Sequence, residues 1–358
     1  MLRILVMGAG AVGCFVGGSL AAAGHRVTLL GRPPLMNKIA RDGLAIHWPE
    51  RPDQTAWPDT ATSVAELTST YDFILVTVKS PATAEAARQL ATLAWESNQT
   101  YLVSLQNGIG NEEQVAALFG TEKIIAGTIT IPIAAPQPGV IEVSKAKGGL
   151  GLAPLHPSQP VQLLAEALNQ AGLTTIIYPD YQAMKWSKLL LNIVNNASSA
   201  ILDLAPAEII ARPELFDLEL EALREGVQVM QAQGIQAVRL PGYPVHWLAR
   251  LVTARWLPQP LKRAILRPFM HSGRGSKMPS LQLDLAAGRA ASEIGALNGA
   301  IVQAGQKLGI ATPVNRALTE ILSGIVAGNL TWTGYQHQPT KLIAAVAAAH
   351  QDRQKDKL

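Results

Sequence analysis

Leu2 to Met7 is a short apolar run of β-favouring side chains that ends directly in Gly8-Ala9-Gly10-Ala11-Val12-Gly13, and a small-residue, helix-compatible stretch then runs to Ala23. Strand, glycine turn and helix in that order constrain the fold more than any other feature of the chain. Gly8 permits the tight turn, Gly10 lets backbone N–H groups approach an anion, and Gly13 lets the helix lie close on the strand. The helix N-terminus then faces the anion. A G-x-G-x-x-G by itself is a weak signal, but between a strand and a helix it points to a dinucleotide pyrophosphate rather than to a packing turn. Met1 to Ala23 also superficially resembles a secretory signal, with Arg3, an apolar stretch and a small-residue end. The glycines argue against that reading, because they fall where a phosphate turn needs them.

The alternation continues. Val27 to Leu30, Phe73 to Val78 and Tyr101 to Leu105 read as strands, with helical stretches at Ala82 to Trp95 and Glu112 to Leu118 between them. Strands alternating with helices predict a doubly wound parallel sheet. Short β-like runs at Val140 to Val143 and Gly149 to Leu152, a helix from Val161 to Ala171 and a strand at Thr174 to Tyr178 read as the far edge of the same domain. After Pro179 the strand signal nearly vanishes. Apolar-periodic segments at Met184 to Ile201, Ala207 to Gln233, Leu283 to Leu308 and Pro313 to Val326 predict helices, and Val238 to Arg267 reads as an extra helical hairpin. The expected fold class is therefore α/β, an N-terminal Rossmann-type doubly wound parallel sheet followed by an all-α C-terminal domain. At 358 residues the chain exceeds what one ordinary core supports, which fits two domains.

Composition narrows the function classes. The net charge is only +4 and the basic residues are scattered, so nucleic acid is not an expected partner. No segment approaches the ~20 unbroken apolar residues of a membrane span, so neither is a membrane. The one cysteine, Cys14, leaves no internal disulfide and fits the reducing cytoplasm, the expected location. No His, Cys or carboxylate set has metal-ligand spacing, and no metal is expected.

Two further patterns carry chemistry. At the end of the second strand, where NAD-selective sites present an acid to the ribose hydroxyls, VTLLGR has Gly31 and then Arg32. An acid there would repel a 2′-phosphate and a guanidinium can hold it, so NADP is the expected cofactor. Lys79, closing the FILVTVK strand at the carboxyl edge of the sheet, is a second phosphate candidate. On this reading residues 1–179 form the NADP-binding domain and 180–358 the helical substrate and catalytic domain. In the second domain Lys188, Asn192 and Asn196 are spaced four and four in KLLLNIVNN, which predicts one polar face on an apolar helix. Asn offers donor and acceptor to a keto or hydroxy group, and a Lys ammonium can protonate a developing alkoxide.

With these motifs in order, GAGAVG, Arg32, Lys79, QNGIG around Asn107, KxxxNxxxN, MPSLQLD, SEIGALNG and GIATPVN, the chain resembles the ketopantoate reductase (2-dehydropantoate 2-reductase) family over nearly its whole length. The resemblance implies NADPH-dependent reduction of ketopantoate to pantoate, in pantothenate and coenzyme A biosynthesis. It implies that the turn Gly8, Ala9, Gly10, Ala11, Val12 and Gly13, with Arg32 and Lys79, binds the cofactor, and that Asn107 sits where nicotinamide ribose and substrate converge. It implies Lys188 as the catalytic general acid, Asn192, Asn196 and Ser280 as substrate-binding residues, and Glu293 as an active-site carboxylate contacting the cofactor. Taken alone, Asn107 reads as a turn residue before Gly108, Ser280 as a helix cap after Pro279, and Glu293 as a solvated partner of Arg289. The chain departs from the family in one extra residue between Ser280 and Glu293, in the Val238 to Arg267 insertion and in a longer C-terminus. The expected partner is a small 2-keto acid, and a homodimer is compatible with the chain. A related reductase of another 2-keto or imino acid and an NADPH-binding regulator without turnover are the rival readings.

Overall fold

The computed structural model describes residues 1–67, 70–93, 99–271 and 277–355. They divide into two compact units, Met1–Lys185 with Leu240–Tyr243, and Trp186–Arg239 with Pro244–Leu358.

In chain order the first unit contains β1 (Arg3–Met7), α1 (Ala11–Ala22), β2 (Arg26–Leu30), α2 (Pro33–Asp42), β3 (Leu44–His47), β4 (Gln54–Ala56), β5 (Asp59–Ala61), β6 (Phe73–Val76), α3 (Thr83–Ala91), β7 (Tyr101–Ser104), α4 (Asn111–Phe119), β8 (Ile124–Ile129), β9 (Ile133–Gln137), β10 (Val140–Val143), β11 (Leu150–Pro154), α5 (Val161–Gln170) and β12 (Thr175–Ile177). The main sheet has the order β12-β11-β8-β7-β6-β1-β2-β5 and is parallel except where β11 pairs with β8. Alternate β1 side chains enter different cores. Ile4 and Val6 pack with Phe15 and Leu20 of α1, whereas Leu5 and Met7 pack with Ala86 and Leu90 of α3. Helices therefore cover both faces, which is why the central strands read as unbroken apolar runs rather than as alternating ones.

Val140 to Val143 stays within the first unit, as expected, but as β10 it belongs to a second, four-stranded sheet of order β4-β3-β10-β9. Leu44, Ile46, Ile141 and Val143 of that sheet belong to the same core as Phe15 of α1, so its strands follow the apolar surface of the helix. The helix expected at Ala82 to Trp95 is seen as α3, and residues 94 and 95 lie outside the described residues.

α6 (Tyr181–Ile193) contains the division between the units. α7 (Asn196–Leu202), α8 (Pro206–Ala211), α9 (Pro213–Ala232), α10 (Val245–Thr253), α11 (Gln259–His271), α12 (Ser280–Ala286), α13 (Asn298–Lys307), α14 (Pro313–Val326) and α15 (Pro339–Lys355) follow. The segment expected as one helix from Ala207 breaks before Pro213, whose ring bars continuation, and Pro213 starts the next helix instead. The segment from Leu283 to Leu308 breaks after Ala286, where Gly288 turns left-handed at φ +63°. The segment from Met184 to Ile201 breaks at residues 194–195, because Asn195 adopts φ 54° and its N–H donates to Glu219 at 2.6 Å. Ser198 Oγ donates to the same buried carboxylate, which thereby caps the new helix. Among the described residues no helix is long and apolar enough to cross a membrane.

Candidate active site

Adjacent parallel strands bring four sequence-predicted positions to one edge of the main sheet. Gly8 follows β1, Arg32 follows β2, Lys79 follows β6 and Asn107 follows β7, in the spatial order β7-β6-β1-β2. Successive connections leave β1 in opposite directions, so this is the switch point at which open α/β sheets bind ligands. Gly8 has φ 109°, a conformation open to glycine at little cost, and Thr77 Oγ1 donates to its carbonyl at 2.7 Å. A Cβ on Gly13 would run into that carbonyl and lie 2.6 Å from Thr77 Oγ1, so close packing of α1 on β1 requires glycine there.

Gly10 is the N-cap of α1. A Cβ on it would meet nothing within 4 Å, no side chain caps the helix, and its first turn carries no acid. The first-turn N–H groups of Ala11, Val12 and Gly13 have no intrahelical acceptor by geometry. Open space, unpaired donors and the positive end of a helix dipole fit a pyrophosphate. Arg32, at the N-cap of α2, is exposed. Gly31 beside it could not be an acid without rearrangement, since a Cβ there would lie 2.7 Å from Ala9 Cβ. Lys79 is half-buried at the N-cap of a short 3-10 turn, Ser80–Ala82.

Asn107 is half-buried, and Gly108 after it has φ 87°, so the turn read from the sequence is present. The Asn107 carbonyl accepts hydrogen bonds from Ser80 Oγ at 2.8 Å and Asn111 Nδ2 at 2.9 Å. Gln106 Nε2 donates to the Val78 carbonyl at 2.9 Å and to Thr83 Oγ1 at 2.7 Å, tying the ends of β6 and β7 together. The sequence reading missed Lys185, whose Nζ donates to the Gln106 carbonyl at 2.6 Å and lies 2.8 Å from Glu112 Oε1. Its position three residues before Lys188 on the same helix was the available signal. Cys14 is buried, and burial pushes its thiol up to about 12, which leaves it an inert packing residue.

In the second unit Lys188 is half-exposed on α6, and Asn192, 7% exposed, lies one turn further along the same face. Asn196 does not continue that face: it opens α7 beyond the break, and it is 1% exposed. Its Oδ1 accepts the N–H of Leu281 at 3.2 Å, which joins the start of α7 to the start of α12. Ser280, exposed, is the first residue of α12, with Pro279 rather than Ser280 at the N-cap. Glu293 is 6% exposed on a 3-10 turn, Glu293–Gly295, whose N-cap Ser292 accepts the Ile294 N–H. The alternative of a solvated Glu293 is thus overturned, and the ion pair of Arg289 is with Asp284 at 3.2 Å. Among the described residues no cluster of three or more His, Cys, Asp or Glu could hold a metal.

Residues 4–156 match the family described as ketopantoate reductase PanE/ApbA, and residues 180–326 match that family's C-terminal region. A relative from Halobacterium salinarum named 2-dehydropantoate 2-reductase is 30% identical over 325 residues, 90% of this chain and 98% of its own length. The crystal structure of 2-dehydropantoate 2-reductase from Geobacter metallireducens is 27% identical with a TM-score of 0.75, covering 90% of this chain and 99% of its own. A D-mandelate dehydrogenase, in a ternary structure with NADH and anilino(oxo)acetate, shares the fold at 22% identity and a TM-score of 0.75, over 91% of this chain and 99% of its own.

Proposed function

The chain belongs to the ketopantoate reductase family, which makes it an oxidoreductase acting on a CH–OH group, and we propose that it uses NADPH to reduce 2-dehydropantoate to pantoate for pantothenate and coenzyme A biosynthesis. The observation that carries this reading is the likeness to a 2-dehydropantoate 2-reductase along 98% of that relative's length. We assign residues 1–179 to NADP binding and 180–358 to substrate binding and catalysis.

When bound, the dinucleotide supplies a hydride to C2 of the keto acid. Gly8 to Gly13 would receive its pyrophosphate at the N-terminus of α1, where the open space above Gly10 supports the assignment. Arg32 and Lys79 would take the 2′-phosphate end. Exposure of Arg32 and the barrier to an acid at Gly31 both favour NADPH over NADH. Asn107 would meet the nicotinamide ribose and the substrate, and Glu293 the cofactor. Lys188 donates the proton to the carbonyl oxygen as the alkoxide develops, with Asn192, Asn196 and Ser280 orienting the substrate around it. Asn196 also holds the backbone beside Ser280, so it acts partly through α12.

Steady-state oxidation of NADPH with a panel of 2-keto acids tests the reading. A site built to hydrogen-bond the hydroxyl of ketopantoate can reject 2-ketoisovalerate, which lacks it, by up to roughly 10⁴-fold in kcat/KM. Equal rates for the two acids would remove ketopantoate as the substrate. Oxidation by none of the panel would remove the reductase reading.

A further inference from the structure

One buried charge pair, Lys185 with Glu112, stands apart from the residues assigned to cofactor and substrate. Lys185 is 3% exposed and Glu112, in the first turn of α4, is 1% exposed. Lys185 Nζ lies 2.6 Å from the Gln106 carbonyl oxygen, 3.4 Å from that of Gly127 on β8 and 2.8 Å from Glu112 Oε1. Glu112 Oε1 accepts no hydrogen bond among the described residues, so carboxylate and ammonium meet as charges while the donors of Lys185 go to the carbonyls. Stability alone does not account for such a pair, because a well-packed apolar pair of similar volume commonly does as well or better. An apolar pair, however, cannot hold a carbonyl oxygen in place.

The Gln106 carbonyl shares a rigid planar peptide with the nitrogen of Asn107. On the other side of the Asn107 Cα, the next peptide is held through its own carbonyl by Ser80 Oγ and Asn111 Nδ2. Both peptide planes flanking Asn107 are thus clamped, and with them the two soft dihedrals that aim its side chain. We propose that Lys185, neutralised by Glu112, is a positioning residue for the nicotinamide end of the site. It fixes the Gln106–Asn107 peptide so that Asn107 is presented in one orientation. This rests on the reading of Asn107 as a contact of the nicotinamide ribose and substrate.

The test uses the full chain in two variants. Lys185→Met alone would leave the Glu112 carboxylate buried without its counter-charge, so the informative protein is Lys185→Met with Glu112→Gln, which removes both charges. Two quantities are read: kcat/KM for NADPH with ketopantoate, and the Kd of 2′-phospho-ADP-ribose, which lacks the nicotinamide half. The expected result is a loss of about tenfold to a hundredfold in kcat/KM, the usual penalty for a misplacement of about 1 Å, with fragment affinity within about twofold of the parent. A kcat/KM within about twofold of the parent, or a parallel loss of fragment affinity, would overturn the proposal. Asn107→Ala is measured alongside. If it costs activity while the double variant does not, the clamp is wrong and the reading of Asn107 stands. If Asn107→Ala costs nothing, the reading of Asn107 falls and takes the clamp with it.

Discussion

One ammonium is asked to supply the proton of the reaction, and its worth can be measured apart from binding. Replacing Lys188 by Ala is expected to lower kcat by about a hundredfold to ten-thousandfold, the range for a positioned general acid, with little change in the Kd for NADPH. A fall of less than about threefold would show that another group protonates the substrate. Arg32 is the residue we assign to the opposite, 2′-phosphate end of the cofactor. As an exposed guanidinium with no acid at Gly31 beside it, it can discriminate only through the 2′-phosphate. Arg32→Ala should therefore cost about tenfold to a hundredfold in kcat/KM for NADPH and leave NADH nearly unaffected. Equal use of both cofactors by the unmutated protein would refute the assignment.

Asn196 shows how the break between α6 and α7 changes the meaning of a residue. On one continuous helix it would share a face with Lys188 and Asn192; beyond the left-handed Asn195 it reaches the first turn of α12 and accepts the Leu281 N–H. The bond satisfies an amide that the short helix cannot pair internally. Asn196→Ala is expected to destabilise the protein by about 1 kcal/mol, a typical value for a lost cap-like hydrogen bond. It should also raise KM for the keto acid more than it lowers kcat, since the element carrying Ser280 loosens while Lys188 is untouched. Melting curves and steady-state kinetics of the one variant check both. An unchanged melting temperature would deny the link to α12.

The second unit carries a pH dependence in its core. Glu225 of α9 is 0% exposed and accepts the N–H groups of Val314 at 2.9 Å and Asn315 at 3.0 Å, at the start of α14, together with Asn315 Nδ2 at 2.7 Å. Burial is the largest influence on its carboxyl and outweighs these bonds, pushing it from an ordinary 4.5 up to about 7. Because the folded value lies above the unfolded one, the folded chain binds the extra proton in that window. The stability contributed by this group is therefore fully present below 4.5 and lost as the pH rises through about 7. Glu225→Gln removes the titration. Across that window the parent protein should lose stability relative to the variant, by an amount on the order of 3 kcal/mol. Denaturant unfolding of both proteins at several pH values reads the difference, and parallel curves would show that Glu225 does not titrate there.

The order of residues alone specified the strand, glycine turn and helix at Gly8 to Gly13, because φ 109° at residue 8 and close packing at residue 13 each demand glycine locally. It also determined the alternation that builds a sheet covered on both faces, and the Lys188–Asn192 face, since periodicity is a property of a single element. What neighbours impose was not legible. The left-handed turn at Asn195 depends on Glu219, 24 residues away, and the small sheet follows apolar surface on α1. Nothing near Lys185 in the chain says that it is buried; its Gln106 carbonyl partner is 79 residues distant, and Glu112 lies on a different helix. A charge looks the same in sequence whether it is solvated or enclosed. The difference arises in the packed fold, because desolvation and pairing depend on which distant groups surround the charge.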